Sequence, residues 1–128
     1  MSPLWDKAKE AAASARLLLD RGGYDGAADR AFFAMFNAGR TLLASRELNG
    51  EGIRNHAKVR LLLQRYFVEP GLMEPDLVKA MKHADRVRWN ADFRPEGVKP
   101  EVAHEQLDTM DRFMRRAAAL LDSKGSGR

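Results

Sequence analysis

The chain has 128 residues, of which 45% are hydrophobic and 31% charged, with a formal net charge of +4 and no cysteine. This length predicts one domain with one core, and the lack of cysteine excludes disulfides, thiolate metal sites and cysteine nucleophiles. The positive charge permits binding of RNA or nucleotides, but it is also typical of a solvated surface with mixed charges.

Helical spacing dominates the sequence, because Ala, Leu, Arg and Glu recur at helical intervals and strand signals are almost absent. The spacing predicts a first helix from about Pro3 to Asp20, ended by Gly22 and Gly23. A second helix, capped by Asp25, is predicted to continue to about Ser45.

Three further helices are predicted after a glycine-containing linker. Asn55 is the expected N-cap of a third helix with a short apolar stripe. The fourth helix should begin near Pro75 and reach about Asn90. The last begins near Pro100 and has the clearest apolar period in the chain.

Short connections between these helices favour an all-α fold, an antiparallel up-and-down helical bundle of four main helices plus a short helix. We expect a single domain over residues 1–122 and a disordered tail at 123–128. No segment approaches the roughly 20 apolar residues needed to span a bilayer. The sequence therefore predicts a soluble, cytoplasmic protein without membrane contact.

The second helix has two organised faces. At about 100° per residue, one side is apolar, whereas the opposite side carries Arg30, Phe33, Asn37 and Thr41. A stripe of small residues separates the two sides: Ala31, Ala34 and Ala38. A helix with one packing surface would carry a plain charged face there, so this second face predicts further packing or a site. Because Phe33 and the alanine stripe need cover, we expect a symmetric homodimer.

Arg88, on the inward side of the fourth helix, is a second candidate for a functional site. An unpaired buried guanidinium costs several kcal/mol, so Arg88 requires a partner, and Asp92 four residues later is the expected one. Two interpretations are open. Either Arg88 reaches solvent at the helix end, or Arg88 and Arg30 converge as anion donors, with neutral polar groups from Asn37 and His56.

Three nearby side chains are also open to two interpretations each. Trp89 and Phe93 either close a core or dimer seam, or stack on a nucleobase beside Arg88. His56 either satisfies the start of the third helix or, in its protonated form, donates to a phosphate.

Four short segments carry a family resemblance. Residues 30–37 read Arg-Ala-Phe-Phe-Ala-Met-Phe-Asn, and residues 88–93 read Arg-Trp-Asn-Ala-Asp-Phe. Residues 23–28 read Gly-Tyr-Asp-Gly-Ala-Ala, and residues 55–59 read Asn-His-Ala-Lys-Val. In this order they resemble small prokaryotic HEPN domains (higher eukaryotes and prokaryotes nucleotide-binding), whose main motifs read Arg-Ala-Tyr-Tyr-Ala-Met-Phe-His and Arg-x-x-Ala-Asp-Tyr.

The resemblance implies a helical bundle, commonly a homodimer, that occurs beside a small nucleotidyltransferase in toxin–antitoxin or host-defence modules. Many relatives are metal-independent ribonucleases in which an arginine and a histidine about four to six residues later activate the ribose 2′-hydroxyl and hold the phosphate. Here the three histidines have no arginine at that distance: His56, His83 and His104. Asn37 replaces the histidine of the first motif and cannot exchange a proton near neutral pH, and Phe33 lacks the tyrosine hydroxyl.

Three functions remain open, and whether the protein is an enzyme is open with them. The first is a dimeric binding or regulatory subunit of a toxin–antitoxin or defence module, paired with a small nucleotidyltransferase. It would bind nucleotide or RNA phosphate through Arg30, Asn37, His56, Arg88 and Asp92. The second is a metal-independent ribonuclease, with His56, Arg88 and Asp92 as catalytic candidates beside Arg30. The third is a stand-alone nucleotide-binding module. No histidine pair has metal-ligand spacing, so we expect neither a metal nor another cofactor.

Overall fold

The computed structural model describes residues 2–126, except the side chains of Asp92 and of residues 124–126. These residues contain five α-helices and no strand. The helices are α1 (Pro3–Asp20), α2 (Tyr24–Ser45), α3 (His56–Leu63), α4 (Pro75–Phe93) and α5 (Pro100–Ser126). A π-helical turn at Gln64–Val68 follows α3 directly. The predicted all-α bundle is thereby confirmed, with α3 as its short helix.

Most helix ends follow the local signals in the sequence. Asn55 caps α3, because its side-chain oxygen accepts a hydrogen bond from the backbone N–H of Lys58 at 2.9 Å. Gly22 follows the end of α1 with a φ of 77°, a left-handed conformation that glycine adopts without strain. Pro75 begins α4 and Pro100 begins α5, where the missing N–H of proline has no partner to lose.

The predicted capping role of Asp25 is wrong. Helix α2 begins one residue earlier, its N-cap is Gly23, and no side chain caps it. Asp25 lies in the first turn, where a negative charge suits the helix dipole, and its Oδ1 accepts a hydrogen bond from the backbone N–H of Val98 at 2.7 Å. Asp25 therefore ties the loop between α4 and α5 to the start of α2.

Helix α2 is the centre of the bundle, because α1, α3, α4 and α5 all contact it. Its apolar side supplies fully buried core residues: Phe32, Met35, Leu42 and Leu43. The alanine stripe is also fully buried within one protomer, where α1 and α5 pack on α2. The stripe thus needs no second subunit to cover it, and this reason for a homodimer does not hold.

Two positions of α2 show how tightly its neighbours pack. Thr41, which the spacing placed on the second face, is only 3% exposed, and its hydroxyl donates to the carbonyl of Asn37 at 2.7 Å. Gly39 lies where a Cβ would come within 2.8 Å of Cδ1 of Leu63, so its lack of a side chain lets α2 approach α3 closely. The second face is consequently shorter than expected and does not include Thr41.

Helix α5 completes the bundle. An ion pair between Arg16 and Asp111 joins it to α1. The helix is described to Ser126, so it enters the segment predicted as a tail. Residues 127 and 128 lie outside the described residues, and the domain limit at residue 122 stays a prediction. None of the described helices is both long and apolar enough to cross a membrane.

Candidate functional site

Three phenylalanines of α2 form an aromatic floor. The ring centroids of Phe32 and Phe36 are 5.6 Å apart, and those of Phe32 and Phe33 are 5.1 Å apart. Phe32 is fully buried, whereas Phe33 is partly exposed. His56, the first residue of α3, packs its imidazole on this floor, with centroids 4.5 Å from Phe36 and 5.0 Å from Phe32. The aromatic floor therefore forms an apolar base beneath polar groups from other helices.

The structure brings Arg30 and Arg88 together over Phe33. Their Cζ atoms lie 5.0 and 4.9 Å from the centroid of that ring, within cation–π range. Asp29 lies between them: Nε and Nη2 of Arg30 donate to Oδ2 at 3.3 and 3.0 Å, and Nε of Arg88 donates to Oδ1 at 3.1 Å. The two arginines thus converge on one carboxylate.

A second carboxylate, Asp85, joins Arg88 to α3. It lies one turn before Arg88 on α4, and its Oδ1 accepts from Nη1 of that arginine at 3.2 Å. Its Oδ2 lies 2.9 Å from Nδ1 of His56 and 3.5 Å from Nη1 of Arg60. His56 and Arg60 reach the same carboxylate because they are one turn apart on α3. We call the connected groups the ion-pair cluster: Asp29, Arg30, His56, Arg60, Asp85 and Arg88.

Donors remain available in this cluster. The side chains of Arg60 and Arg88 are only 18% and 19% exposed, so their charges depend on partners. Nevertheless, the cluster holds one more guanidinium than carboxylates, and the buried Nη1 of Arg60 has no hydrogen-bond partner in the described part of the chain. Among those residues, Nη1 of Arg30 and Nη2 of Arg88 are likewise not used by either carboxylate. Nη1 of Arg30 and Nη2 of Arg88 can therefore receive an anion without breaking the pairs, whereas Nη1 of Arg60 is buried and lies 3.5 Å from Oδ2 of Asp85.

Asn37 lies outside the ion-pair cluster. It lines a groove of about 190 Å³ between α1 and α2, together with Arg30 and four residues of α1 that include Lys7 and Glu10. Arg30 borders both places, so it is the link between this groove and the cluster. One sequence interpretation groups Asn37 with Arg88 and His56. In the structure Asn37 instead lies in this groove beside Arg30.

Asp92 was the expected partner of Arg88. Its side chain lies outside the described residues, so that pair stays a prediction. The partners that the structure gives Arg88 are Asp29 and Asp85. Sequence reasoning missed both, although the three-residue interval from Asp85 to Arg88 is the spacing of neighbours on one helix face.

Arg40 flanks the other side of the aromatic floor, with Cζ 5.7 Å from the ring centroid of Phe36. It donates from Nε to the carbonyl of Gly50 at 2.9 Å and from Nη2 to that of Glu51 at 2.7 Å. Burial, followed by the nearby charge of Arg54, lowers the pKa of Arg40, and the carboxylate of Glu51 acts in the opposite direction. Arg40 therefore holds the loop between α2 and α3 and is not a free anion donor.

Neither remaining histidine extends the site, because His83 and His104 are exposed elsewhere on α4 and α5. In the described ranges, no group of three or more His, Asp or Glu residues is arranged to hold a metal ion. The ion-pair cluster itself supplies hydrogen bonds and charge from arginine, carboxylate and imidazole.

These observations define a helical-bundle protein with a polar cluster on an aromatic floor where α2, α3 and α4 meet. The family model described as HEPN domain matches residues 1–120, and the chain belongs to this family. The chain is 28% identical over 109 residues to the protein named "Putative toxin MJ0605" from Methanocaldococcus jannaschii, covering 85% of this chain and 79% of that protein. The family resemblance of the four sequence segments is thereby confirmed.

Proposed function

We propose that this protein is a HEPN-type component of a toxin–antitoxin or host-defence module, and that it acts as a dimeric binding or regulatory subunit. The observation that carries the proposal is the pairing of Arg30 and Arg88 by Asp29 and Asp85, in a chain without the family's Arg/His order. Arginines held in this way are positioned to bind, and the name of the relative supports a toxin-related setting.

The ligand that we propose for the cluster is a phosphate group of a nucleotide or RNA. The unused nitrogens of Arg30 and Arg88 would donate charge-assisted hydrogen bonds to it, and His56 would border it. Asn37 would add a neutral donor from the neighbouring groove, and Asp92 would orient Arg88 from the end of α4.

A homodimer and a small nucleotidyltransferase partner complete the proposal. Exposed apolar side chains on the α3 side of the protein support a subunit contact, since Leu61 is 64% and Tyr66 is 41% exposed. The nucleotidyltransferase follows from the family resemblance and is tested by the neighbouring gene and by co-purification of its product.

The central test is whether the protein binds RNA without cleaving it. Purified protein is incubated with single-stranded RNA in EDTA, and we expect a bound, uncut RNA. Arg30→Met should weaken RNA binding at least five-fold, whereas Arg112→Met removes an exposed arginine on α5 as a matched control. Equal effects of the two variants would overturn the phosphate assignment.

A second function is favoured by the contact between Asp85 and His56. Because an ionised carboxylate only accepts, a hydrogen bond at this 2.9 Å contact would use a proton on Nδ1 of His56, and Nε2 would then be the atom for proton transfer. Arg88 binds the other oxygen of Asp85. His56 would therefore serve as a base, and Arg88 would donate hydrogen bonds to the phosphate, in metal-independent ribonuclease chemistry. RNA cleavage in EDTA that disappears in both His56→Ala and Arg88→Ala would establish this function in place of the first.

A further inference from the structure

Two concavities lie between α5 and the loop that leads into α4. Their volumes are about 300 and 370 Å³, and they adjoin, because Glu74 and Arg116 line both of them. We call the two together the α5 groove. Its lining joins arginines of α5 to apolar residues before α4, and it includes Arg112, Arg115, Arg116, Val68, Leu72 and Met73. These residues are all different from those of the ion-pair cluster, so the groove is a separate surface.

The arginine end of the α5 groove can accept carboxylates. Arg115 and Arg116 follow Arg112 by three and four residues, so the three lie on one side of α5. Nε of Arg116 donates to Oε1 of Glu74 at 2.8 Å, and Nη2 of Arg112 lies 2.9 Å from Oδ2 of Asp76. All four of these side chains are more than 40% exposed, and exposed ion pairs are weak. Arg115 is exposed and has no ion pair in the described part of the chain.

The apolar end of the groove is fixed to the core. The backbone N–H groups of Leu72 and Met73 both donate to the carbonyl of Phe67, at 2.8 and 3.0 Å. Phe67 is fully buried and Met73 is only 3% exposed. The loop therefore holds its apolar side chains in place before a ligand arrives, which lowers the entropic cost of binding.

The lining favours an acidic peptide over RNA or a second copy of the chain. The described residues that line the groove include no aromatic ring, so a nucleobase has nothing to stack on. A two-fold contact centred here would bring the three arginines against their own copies. A clustered set of arginines is instead the surface that recognises acidic peptide motifs, and the apolar end can hold a neighbouring aliphatic side chain.

We propose that the α5 groove docks an extended acidic segment of a partner protein. Carboxylates of the segment bind Arg112, Arg115 and Arg116, and an aliphatic side chain of the same segment packs on Val68 and Leu72. Three arginines against one carboxylate, Glu74, give the groove the charge that complements such a segment.

Fluorescence anisotropy with a defined probe tests the groove. The probe is a short fluorescein-labelled peptide in which leucine alternates with glutamate and aspartate. We expect saturable binding that weakens as salt is added, because salt screens exposed charges. Binding should be at least ten-fold weaker for a peptide with amides in place of the carboxylates, and for one with serine in place of leucine. Oligouridylate should not displace the probe. Displacement by oligouridylate would identify RNA as the occupant and overturn the proposal, as would equal affinity for all three peptides.

Variants decide whether the peptide binds in this groove. Arg115→Met should weaken peptide binding at least five-fold, whereas Arg86→Met, at an exposed arginine of α4, is the matched control. Leu72→Ala should also weaken binding, with Leu17→Ala as its control, because Leu17 is a 61% exposed leucine on α1. If Leu72→Ala unfolds, the comparison of the two arginine variants still decides the question.

Three results of these experiments would contradict the docking site. They are no saturable binding at millimolar peptide, equal losses in groove and control variants, and a change of molecular mass in light scattering on Arg115→Met. The last result would show that the α5 groove joins two copies of this chain.

Discussion

Replacing Asp85 with asparagine isolates the contribution of the residue that joins α3 to α4. Both carboxylate oxygens face donors: Oδ1 accepts from Arg88, and Oδ2 meets His56 and Arg60. An asparagine has the same shape but only one acceptor oxygen. If its NH₂ group faces Arg88, that arginine loses an acceptor; if the NH₂ group faces α3, His56 can accept from it in the Nε2–H tautomer, but Arg60 loses its carboxylate. Asp85→Asn therefore removes a charge and also leaves Arg60 or Arg88 without an acceptor at this position.

The burial of these groups sets the size of the effect. Breaking a fully buried ion pair costs about 3–5 kcal/mol, and an exposed pair contributes about 0–1 kcal/mol. The side chains of Asp85, Arg88 and Arg60 are 22%, 19% and 18% exposed, and Arg88 keeps Asp29 as a second partner. We therefore expect a loss of about 2–3 kcal/mol in the free energy of unfolding. For a chain of this length, that lowers Tm by about 6–12 °C.

Thermal and urea unfolding followed by circular dichroism measure this loss. Asp111→Asn is the matched control, since it breaks an ion pair with Arg16 whose side chains are 30% and 52% exposed, and we expect at most about 1 kcal/mol. Similar losses in the two variants would refute the idea that the ion-pair cluster holds α2, α3 and α4 together.

Three further predictions concern single local contacts. Asn55→Ala removes the cap that accepts from Lys58 and should cost about 1 kcal/mol of unfolding free energy in urea; no change would show that α3 needs no cap. Arg40→Met frees the loop between α2 and α3, so amide exchange should accelerate there more than in α5, and uniform acceleration would contradict this. The hydrogen bond from Arg116 holds the pKa of Glu74 below its usual range. The stability that this hydrogen bond contributes is therefore present above about pH 4.3 and is lost as the pH falls through the lowered pKa. Glu74→Gln should therefore have a small destabilising effect at pH 7 that fades in acid, whereas a constant difference down to pH 2 would contradict the assignment.

The fold was predictable because its signals are local. Apolar spacing, the cap at Asn55 and the prolines at positions 75 and 100 act within one or two helical turns, and the structure has helices at the predicted places. Asp25 shows where such reasoning stops. Its position suits a cap, but its side chain bonds the backbone of Val98, 73 residues away. No pattern near Asp25 indicates that partner.

Only part of the candidate site was predictable from the sequence, because some of its partners are distant along the chain. Arg30, His56 and Arg88 stood out as polar groups in apolar or capping contexts, and all three lie in the ion-pair cluster. The carboxylates that organise them did not stand out. Asp29 bonds Arg88 across 59 residues, which only the packing of α2 against α4 establishes, and Asp85 is one of two acidic residues within a turn of Arg88 on α4.

The pairing of its arginines limits how tightly the ion-pair cluster can bind an anion. At Arg30 and Arg88, an incoming phosphate meets guanidiniums that Asp29 and Asp85 already neutralise, so binding adds a further negative charge beside two carboxylates. Nη1 of Arg60 is no better placed, because it is buried and lies 3.5 Å from Oδ2 of Asp85. Adding an anion to an already paired cation yields only a partial gain. An isolated protomer should therefore bind phosphate weakly at the ion-pair cluster, and tightly only when a second subunit or a longer RNA supplies additional contacts.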